Sequence, residues 1–122
     1  MGKKILIIED EKAIQDVMRR ALEGAGYEVV LAHDGVEALE RLRIVTPDLI
    51  VLDLMMPRMN GYRFVEELEY RGLRSTIPIV VVAAYVNPEL MVQMQIKVWL
   101  TKPFRLQHLR ETVDHCIHVP LP

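Results

Sequence analysis

The sequence contains a single cysteine, Cys116, which excludes a disulfide framework and a metal site built from cysteine thiolates. It also lacks a long hydrophobic run, because the apolar stretch before Glu9 is too short for a signal peptide or a membrane span. The formal net charge is only −2, and no run of Lys and Arg offers a surface for nucleic acid or anionic lipid. We therefore expect a cytoplasmic protein with no direct contact to a membrane or to nucleic acid.

Repeats, low-complexity segments and Gly/Ser/Pro-rich linkers are absent from the 122 residues, so we expect one domain over residues 1–122. Short apolar runs alternate with segments of helical spacing. The predicted strands are residues 4–8, 28–32, 49–52, 77–82 and 98–101. The predicted helices are residues 11–25, 36–45, 62–70, a short helix after Pro88, and residues 106–117.

The predicted strands are apolar on both faces, as in parallel sheets that helices cover on each side. Five repeats of strand and helix therefore predict an α/β fold with a doubly wound, five-stranded parallel sheet. Right-handed crossovers then favour the flavodoxin-like strand order 2-1-3-4-5.

Acidic side chains follow two strands that this order makes neighbours. Glu9 and Asp10 come directly after the first strand, and Asp53 comes directly after the third. Ligands of open α/β sheets bind beyond the carboxyl ends of the strands, where the strand order reverses. Three carboxylates there repel one another unless a cation joins them, and an all-oxygen ligand set suits Mg²⁺. Any one of them alone could be a solvated loop residue, but three at adjacent strand ends favour a metal site.

A lysine follows the fifth predicted strand, in the segment Thr101-Lys102-Pro103-Phe104. An ammonium group at this edge of the sheet can pair with Asp53 and with a phosphoryl oxygen attached to it. Pro103 restricts the backbone direction beside Lys102. The acidic pair, the central aspartate and the Lys-Pro step are each weak signals, but together they are specific.

Three motifs carry a resemblance over essentially the whole chain. They are Ile7-Ile8-Glu9-Asp10-Glu11, Asp53-Leu54-Met55-Met56-Pro57-Arg58-Met59-Asn60-Gly61 and Lys102-Pro103-Phe104. In order and spacing they resemble the receiver domain of bacterial two-component response regulators. The resemblance implies that a histidine kinase or a histidine phosphotransfer protein donates a phosphoryl group to Asp53. It also implies that Glu9, Asp10, Asp53 and the backbone carbonyl of Met55 hold Mg²⁺, and that the chain is a signalling phosphoacceptor and not an enzyme.

The end of the fourth strand departs from the family pattern. The family carries a Thr or Ser whose hydroxyl bonds the phosphoryl group, whereas Ala83 stands at this position. Tyr85, the nearest hydroxyl, is expected to point elsewhere. Either other donors and water replace the missing hydroxyl, or the chain accepts phosphate and relays the change weakly.

The helix-four region departs further. Residues 86–98 form a shorter segment than expected for the family, and Gln95-Ile96 replace its usual Gly-Ala. The apolar residues of this helix are either core filler or part of an exposed partner surface. Trp99 occupies the family's aromatic switch position, or is a packing residue. The family's output surface, formed by helix four, strand five and helix five, would contact a second copy or a target protein.

Several residues and functions are left open by the sequence alone. Pro57 and Gly61 either shape the loop beside Asp53 or simply mark a turn. The four histidines have no metal-ligand grouping, and Cys116 is expected to be a packing residue. A degenerate receiver that acts as a phosphate-independent scaffold is the alternative function. A haloacid-dehalogenase-type phosphatase would need an aspartate where Met55 stands, and Glu9-Asp10-Glu11 would repel the phosphate of a flavodoxin's flavin.

Overall fold

The computed structural model describes residues 2–56 and 58–118. Its strands are β1 (Lys4–Ile8), β2 (Glu28–Ala32), β3 (Leu49–Asp53), β4 (Ile79–Ala83) and β5 (Val98–Thr101). Its helices are α1 (Lys12–Gly24), α2 (Gly35–Arg41), α3 (Gly61–Tyr70), α4 (Pro88–Gln93) and α5 (Leu106–His118). No helix among these described residues is both long enough and apolar enough to span a membrane.

All strand pairs are parallel, and the sheet order β2-β1-β3-β4-β5 confirms the predicted topology. Every residue of β3 and β4 is buried, as expected for strands that helices cover on both faces. The chain order reverses direction between β1 and β3. The carboxyl ends of these two strands therefore form the crevice in which such sheets bind ligands.

Alternate residues of each central strand point into two separate hydrophobic cores. The core on one face includes Leu6, Leu52 and Phe64, and α2, α3 and α4 cover it. The core on the other face includes Ile7, Val51 and Leu109, and α1 and α5 cover it. This two-sided packing holds the strand ends rigidly and so fixes the positions of the side chains that follow them.

Several helix boundaries differ from the sequence prediction. Helix α2 ends at Arg41, because turns in which Ile44 and Val45 donate to the Arg41 carbonyl replace the predicted final turn. Val17 has helical spacing with the core residues of α1 but is 44% exposed. Helix α4 has only six residues and ends where Gln95 adopts a positive φ of 57°. Glycine is the residue that most readily adopts this conformation.

Candidate functional site

The predicted acidic residues meet at the carboxyl edge of the sheet. Glu9 and Asp10 directly follow β1, and Asp53 ends β3. One carboxylate oxygen from each of the three lies within 4.8 Å of the others. Glu9 is fully buried and Asp53 is 3% exposed, whereas Asp10 is exposed. Among the described residues, this is the one group of three or more acidic, histidine or cysteine side chains with metal-ligand spacing.

Local backbone groups orient two of these carboxylates. The Met55 amide donates to Asp53 Oδ1 at 3.0 Å, and the Glu11 amide donates to Glu9 Oε2 at 3.2 Å. Both bonds join residues two positions apart, so each carboxylate is held by the turn after its own strand. Each carboxylate thus keeps lone pairs for a cation while its position is set by the fold.

Lys102 closes the site from the end of β5. Its Nζ donates to Glu9 Oε1 at 2.8 Å and to Asp53 Oδ2 at 3.4 Å. Sequence reasoning predicted the contact with Asp53, but the shorter contact is with Glu9. The Lys102 backbone amide also donates to the Ala83 carbonyl at 2.8 Å, and the Lys102–Pro103 peptide is cis. The lysine is therefore anchored to β4 by its main chain and to both acids by its side chain.

Burial dominates the electrostatics of this crevice. It raises the pKa of Glu9 to about 7, and the hydrogen bond from Lys102 offsets only part of this effect. Burial alone would lower the pKa of Lys102, but the hydrogen bond to Glu9 and the charges of Asp53 and Glu9 raise it above its ordinary value. The crevice therefore holds three acidic groups against one lysine, and burial disfavours the ionised form of Glu9. A divalent cation would stabilise the ionised form.

The strand-four position expected to carry a hydroxyl is fully buried. Ala83 ends β4, pairs with Thr101 of β5, and has 0% of its surface exposed. Tyr85 lies on the surface with 77% exposure. Trp99 is half-buried, packs against the core on the α4 side, and borders a groove lined also by Pro103 and Phe104. The fold thus gives Trp99 contact with both the core and the surface.

The loop after Asp53 is tied to the start of α2. Arg58 Nε donates to Asp34 Oδ2 at 2.6 Å, and Asp34 also caps α2 by accepting from the Glu37 amide at 2.9 Å. Burial opposes ionisation of Asp34, but these two hydrogen bonds lower its pKa overall. Gly61 packs directly on the end of β3, whereas Pro57 lies outside the described residues. Sequence reasoning missed the role of Asp34, which precedes Gly35 in a pattern typical of a helix start.

Among the described residues, the histidines and Cys116 do not belong to the acidic cluster. The four histidines are exposed: His33, His108, His115 and His118. Cys116 is half-buried against the α1–α5 core, and burial raises the pKa of its thiol, as expected for a packing residue. A further residue that sequence reasoning missed is Gln15, a buried polar side chain on α1. Its signal was a polar residue at helical spacing with the core residues Met18 and Leu22.

Comparison with known proteins gives one consistent result. The family model for the response regulator receiver domain matches residues 5–114. The chain is 44% identical to the response regulator MprA of Mycobacterium tuberculosis over 69% of the chain and 36% of that protein. It is 38% identical to the Regulator of RpoS of Escherichia coli over 97% of the chain and 36% of that protein. The chain thus spans about a third of the length of these curated relatives.

Solved structures agree with the sequence comparisons. The chemotaxis response regulator CheY4 of Vibrio cholerae superposes with a TM-score of 0.87 at 30% identity, covering 95% of this chain and 99% of that one. The receiver domain of the sensor histidine kinase PA1611 of Pseudomonas aeruginosa gives a TM-score of 0.86 at 28% identity, covering 98% and 100%. That domain was solved with a magnesium ion coordinated in its active-site cleft.

Proposed function

Because this chain belongs to the family of response regulator receiver domains, which act in two-component signalling, we propose that Asp53 is its phosphoacceptor. The observation that carries this proposal is the crevice itself. Three carboxylates with oxygens within 4.8 Å of one another lie at the ends of β1 and β3, and the Lys102 ammonium contacts two of them. A buried aspartate beside two further carboxylates and a lysine supports this proposal, because phosphoryl transfer to a carboxylate depends on positioned groups and on neutralisation of charge.

The donor set fits Mg²⁺. Its atoms are all oxygens, and the exposed Asp10 leaves one side of the site open to water and phosphate. Glu9, Asp10 and Asp53 would hold the ion, and the Met55 carbonyl would be a fourth protein ligand. Bound Mg²⁺ neutralises charge on the carboxylates and on the transferring phosphoryl group.

The residues of the chain would each take a distinct part in the transfer. An Asp53 carboxylate oxygen attacks phosphorus, and the phosphorus–nitrogen bond of a phosphohistidine donor breaks. The donor imidazole leaves with that electron pair, and an acyl phosphate forms on Asp53. Lys102, which lies 2.8 Å from Glu9, would pair with a phosphoryl oxygen. The protein contributes position and charge, and this makes it a signalling phosphoacceptor and not a turnover enzyme.

Ala83 alters the response of the protein to phosphorylation. Its carbonyl accepts from the Lys102 amide at 2.8 Å, which supports acceptance of phosphate because the lysine stays in place without the hydroxyl. Its methyl group cannot donate to a phosphoryl oxygen. Loss of one hydrogen bond to a charged group costs about 1.5–3 kcal/mol. The missing bond would therefore weaken the coupling between phosphorylation of Asp53 and the conformation of the segment after β4.

A direct test is incubation with acetyl phosphate and Mg²⁺ followed by intact-mass measurement. We expect a single phosphoryl adduct on the parent, none on Asp53→Asn, and reduced labelling of Asp10→Asn. An unlabelled parent, under conditions where a control receiver domain is labelled, would contradict the proposal.

A degenerate receiver that acts as a phosphate-independent scaffold is the second candidate, and Ala83 is the feature that favours it. Trp99 fluorescence separates the two, because this half-buried side chain touches both the core and a surface groove. A response to Mg²⁺ together with no response to a phosphodonor, and no phosphoryl adduct, would favour the scaffold.

The partners belong to the same proposal. The phosphodonor would be a histidine kinase or a histidine phosphotransfer protein. A second copy or a target protein would bind the face formed by α4, β5 and α5, where Val92 of α4 and Leu106 of α5 are exposed. Three expectations about this chain stay predictions: that it is a single domain, that it is cytoplasmic, and that it makes no direct contact with nucleic acid.

A further inference from the structure

Gln15 is a buried polar residue on the core-facing side of α1. It is 4% exposed, and the buried residues that share its face, Met18 and Leu22, are apolar. A carboxamide in such surroundings is costly unless its polar atoms are hydrogen-bonded. Gln15 Nε2 meets this requirement by donating to the Glu9 carbonyl at 3.2 Å and to the Ala32 carbonyl at 3.1 Å.

These two carbonyls lie where β1 and β2 end. The Glu9 amide donates to the same Ala32 carbonyl at 3.1 Å. The Glu9 main chain is thus held on both sides, at its amide by β2 and at its carbonyl by Gln15. The Glu9 carbonyl belongs to the peptide group that links Glu9 to Asp10. Its orientation therefore sets the direction in which the Asp10 side chain leaves the main chain.

We propose that Gln15 is a positioning residue for the metal site. Its carboxamide fixes the Glu9–Asp10 peptide so that both carboxylates reach Asp53 at metal-ligand spacing before the ion binds. This inference rests on the proposed function, since it assigns a role toward the same Mg²⁺. Groups that orient ligands in this way commonly contribute about 10- to 100-fold to metal affinity. Without Gln15, binding of the ion would have to order this peptide, and that cost would appear in the dissociation constant.

The test uses Gln15→Met, which preserves the length of the side chain and removes its donor. Titration calorimetry with MgCl₂ should show a dissociation constant about tenfold higher than that of the parent. The rate of phosphorylation by acetyl phosphate should fall most at low Mg²⁺ and recover as MgCl₂ is raised, because Gln15 acts on ion binding through the Glu9 carbonyl and does not itself contact Asp53 or Lys102. Gln15→Asn is the second variant: it keeps the carboxamide but shortens its reach, and it should weaken Mg²⁺ binding similarly.

Met18→Ala is the matched control, because Met18 is buried one turn further along the same helix. It should lower the urea midpoint and leave the Mg²⁺ dissociation constant unchanged. Parent-like Mg²⁺ affinity in a folded Gln15→Met or Gln15→Asn protein would overturn the inference and leave the proposed function intact. A parent that binds no Mg²⁺ would overturn both.

Discussion

Gly61 fits against the end of β3 with no room for a side chain. Its amide donates to the Leu54 carbonyl at 2.9 Å, which draws the first turn of α3 onto the strand end. A Cβ atom at this position would lie 2.7 Å from Leu54 Cα and 3.0 Å from the Asp53 carbonyl oxygen. Both are backbone atoms, so they cannot rotate away as the end of a side chain can. Gly61→Ala must therefore move α3 or the segment that carries Asp53.

The size of this effect can be worked out from the contact distances. Non-bonded carbon atoms prefer a separation of about 3.5–4.0 Å, so the two backbones must part by about 1 Å. Overpacking of this kind costs about 1–3 kcal/mol. We expect Gly61→Ala to lose that amount of unfolding free energy in urea denaturation. It should also bind Mg²⁺ more weakly in titration calorimetry, because the shift displaces the turn that orients Asp53.

Gly35→Ala supplies the control. Its Cβ would also meet close neighbours, but these are the Cγ and Sδ atoms of Met59, both at 2.9 Å. A methionine side chain adapts by rotation, and alanine favours the helix that begins at Gly35. The control should change stability by less than about 1 kcal/mol and leave Mg²⁺ affinity unchanged. A Gly61→Ala protein with the urea midpoint and Mg²⁺ affinity of the parent would refute the reasoning.

Backbone conformation and shifted pKa values give three further predictions. In urea denaturation, Gln95→Gly should raise the free energy of unfolding by about 0.5–1 kcal/mol, because Gln95 has a positive φ of 57°. Gly72→Ala should lower the free energy of unfolding in the same assay, because Gly72 has a φ of 75°. In calorimetry, Mg²⁺ should bind about 30-fold more weakly at pH 5.5 than at pH 8, because Glu9, with a pKa of about 7, must lose its proton before it can bind the ion. Glu9→Gln should show little of this pH dependence. Asp34→Ala should cost about 0.5–2 kcal/mol at pH 7 through loss of the α2 cap. Because the pKa of Asp34 is lowered in the fold, its contribution is present above its ordinary value of 3.8 and is lost as the pH falls, so the two proteins should converge in acid.

The sheet could be predicted because the composition of each strand indicates what packs against it. Apolar residues on both faces of β1, β3 and β4 indicate helices on both sides, and that condition leaves few topologies. The end of α2 could not be predicted in the same way. Leu42 and Val45 continue the helical spacing, but the chain leaves the helix through turns onto the Arg41 carbonyl. Hydrophobic spacing indicates which side of a segment faces the core. It does not indicate where helical hydrogen bonds give way to turns.

The acidic crevice was predictable for a related reason: strand ends and charge can both be seen in the sequence. The partner preference of Lys102 could not be, because 2.8 Å to Glu9 against 3.4 Å to Asp53 depends on how β5 sits beside β4. Gln15 was missed because a single polar residue on an apolar helix face predicts burial with some partner but does not identify that partner. Its two acceptors belong to different strands, and only the assembled sheet brings them together.

The hydrogen bond between Lys102 and Glu9 joins residues 93 positions apart. During synthesis, a growing chain presents Glu9, Asp10 and Asp53 long before Lys102 has left the ribosome. Until then, Lys102 cannot offset the repulsion among the three acids, although a cation from solution can. The completed site therefore depends on the whole chain from β1 to β5. A truncated or partly folded chain would carry the acceptor aspartate without the lysine that completes its charge balance.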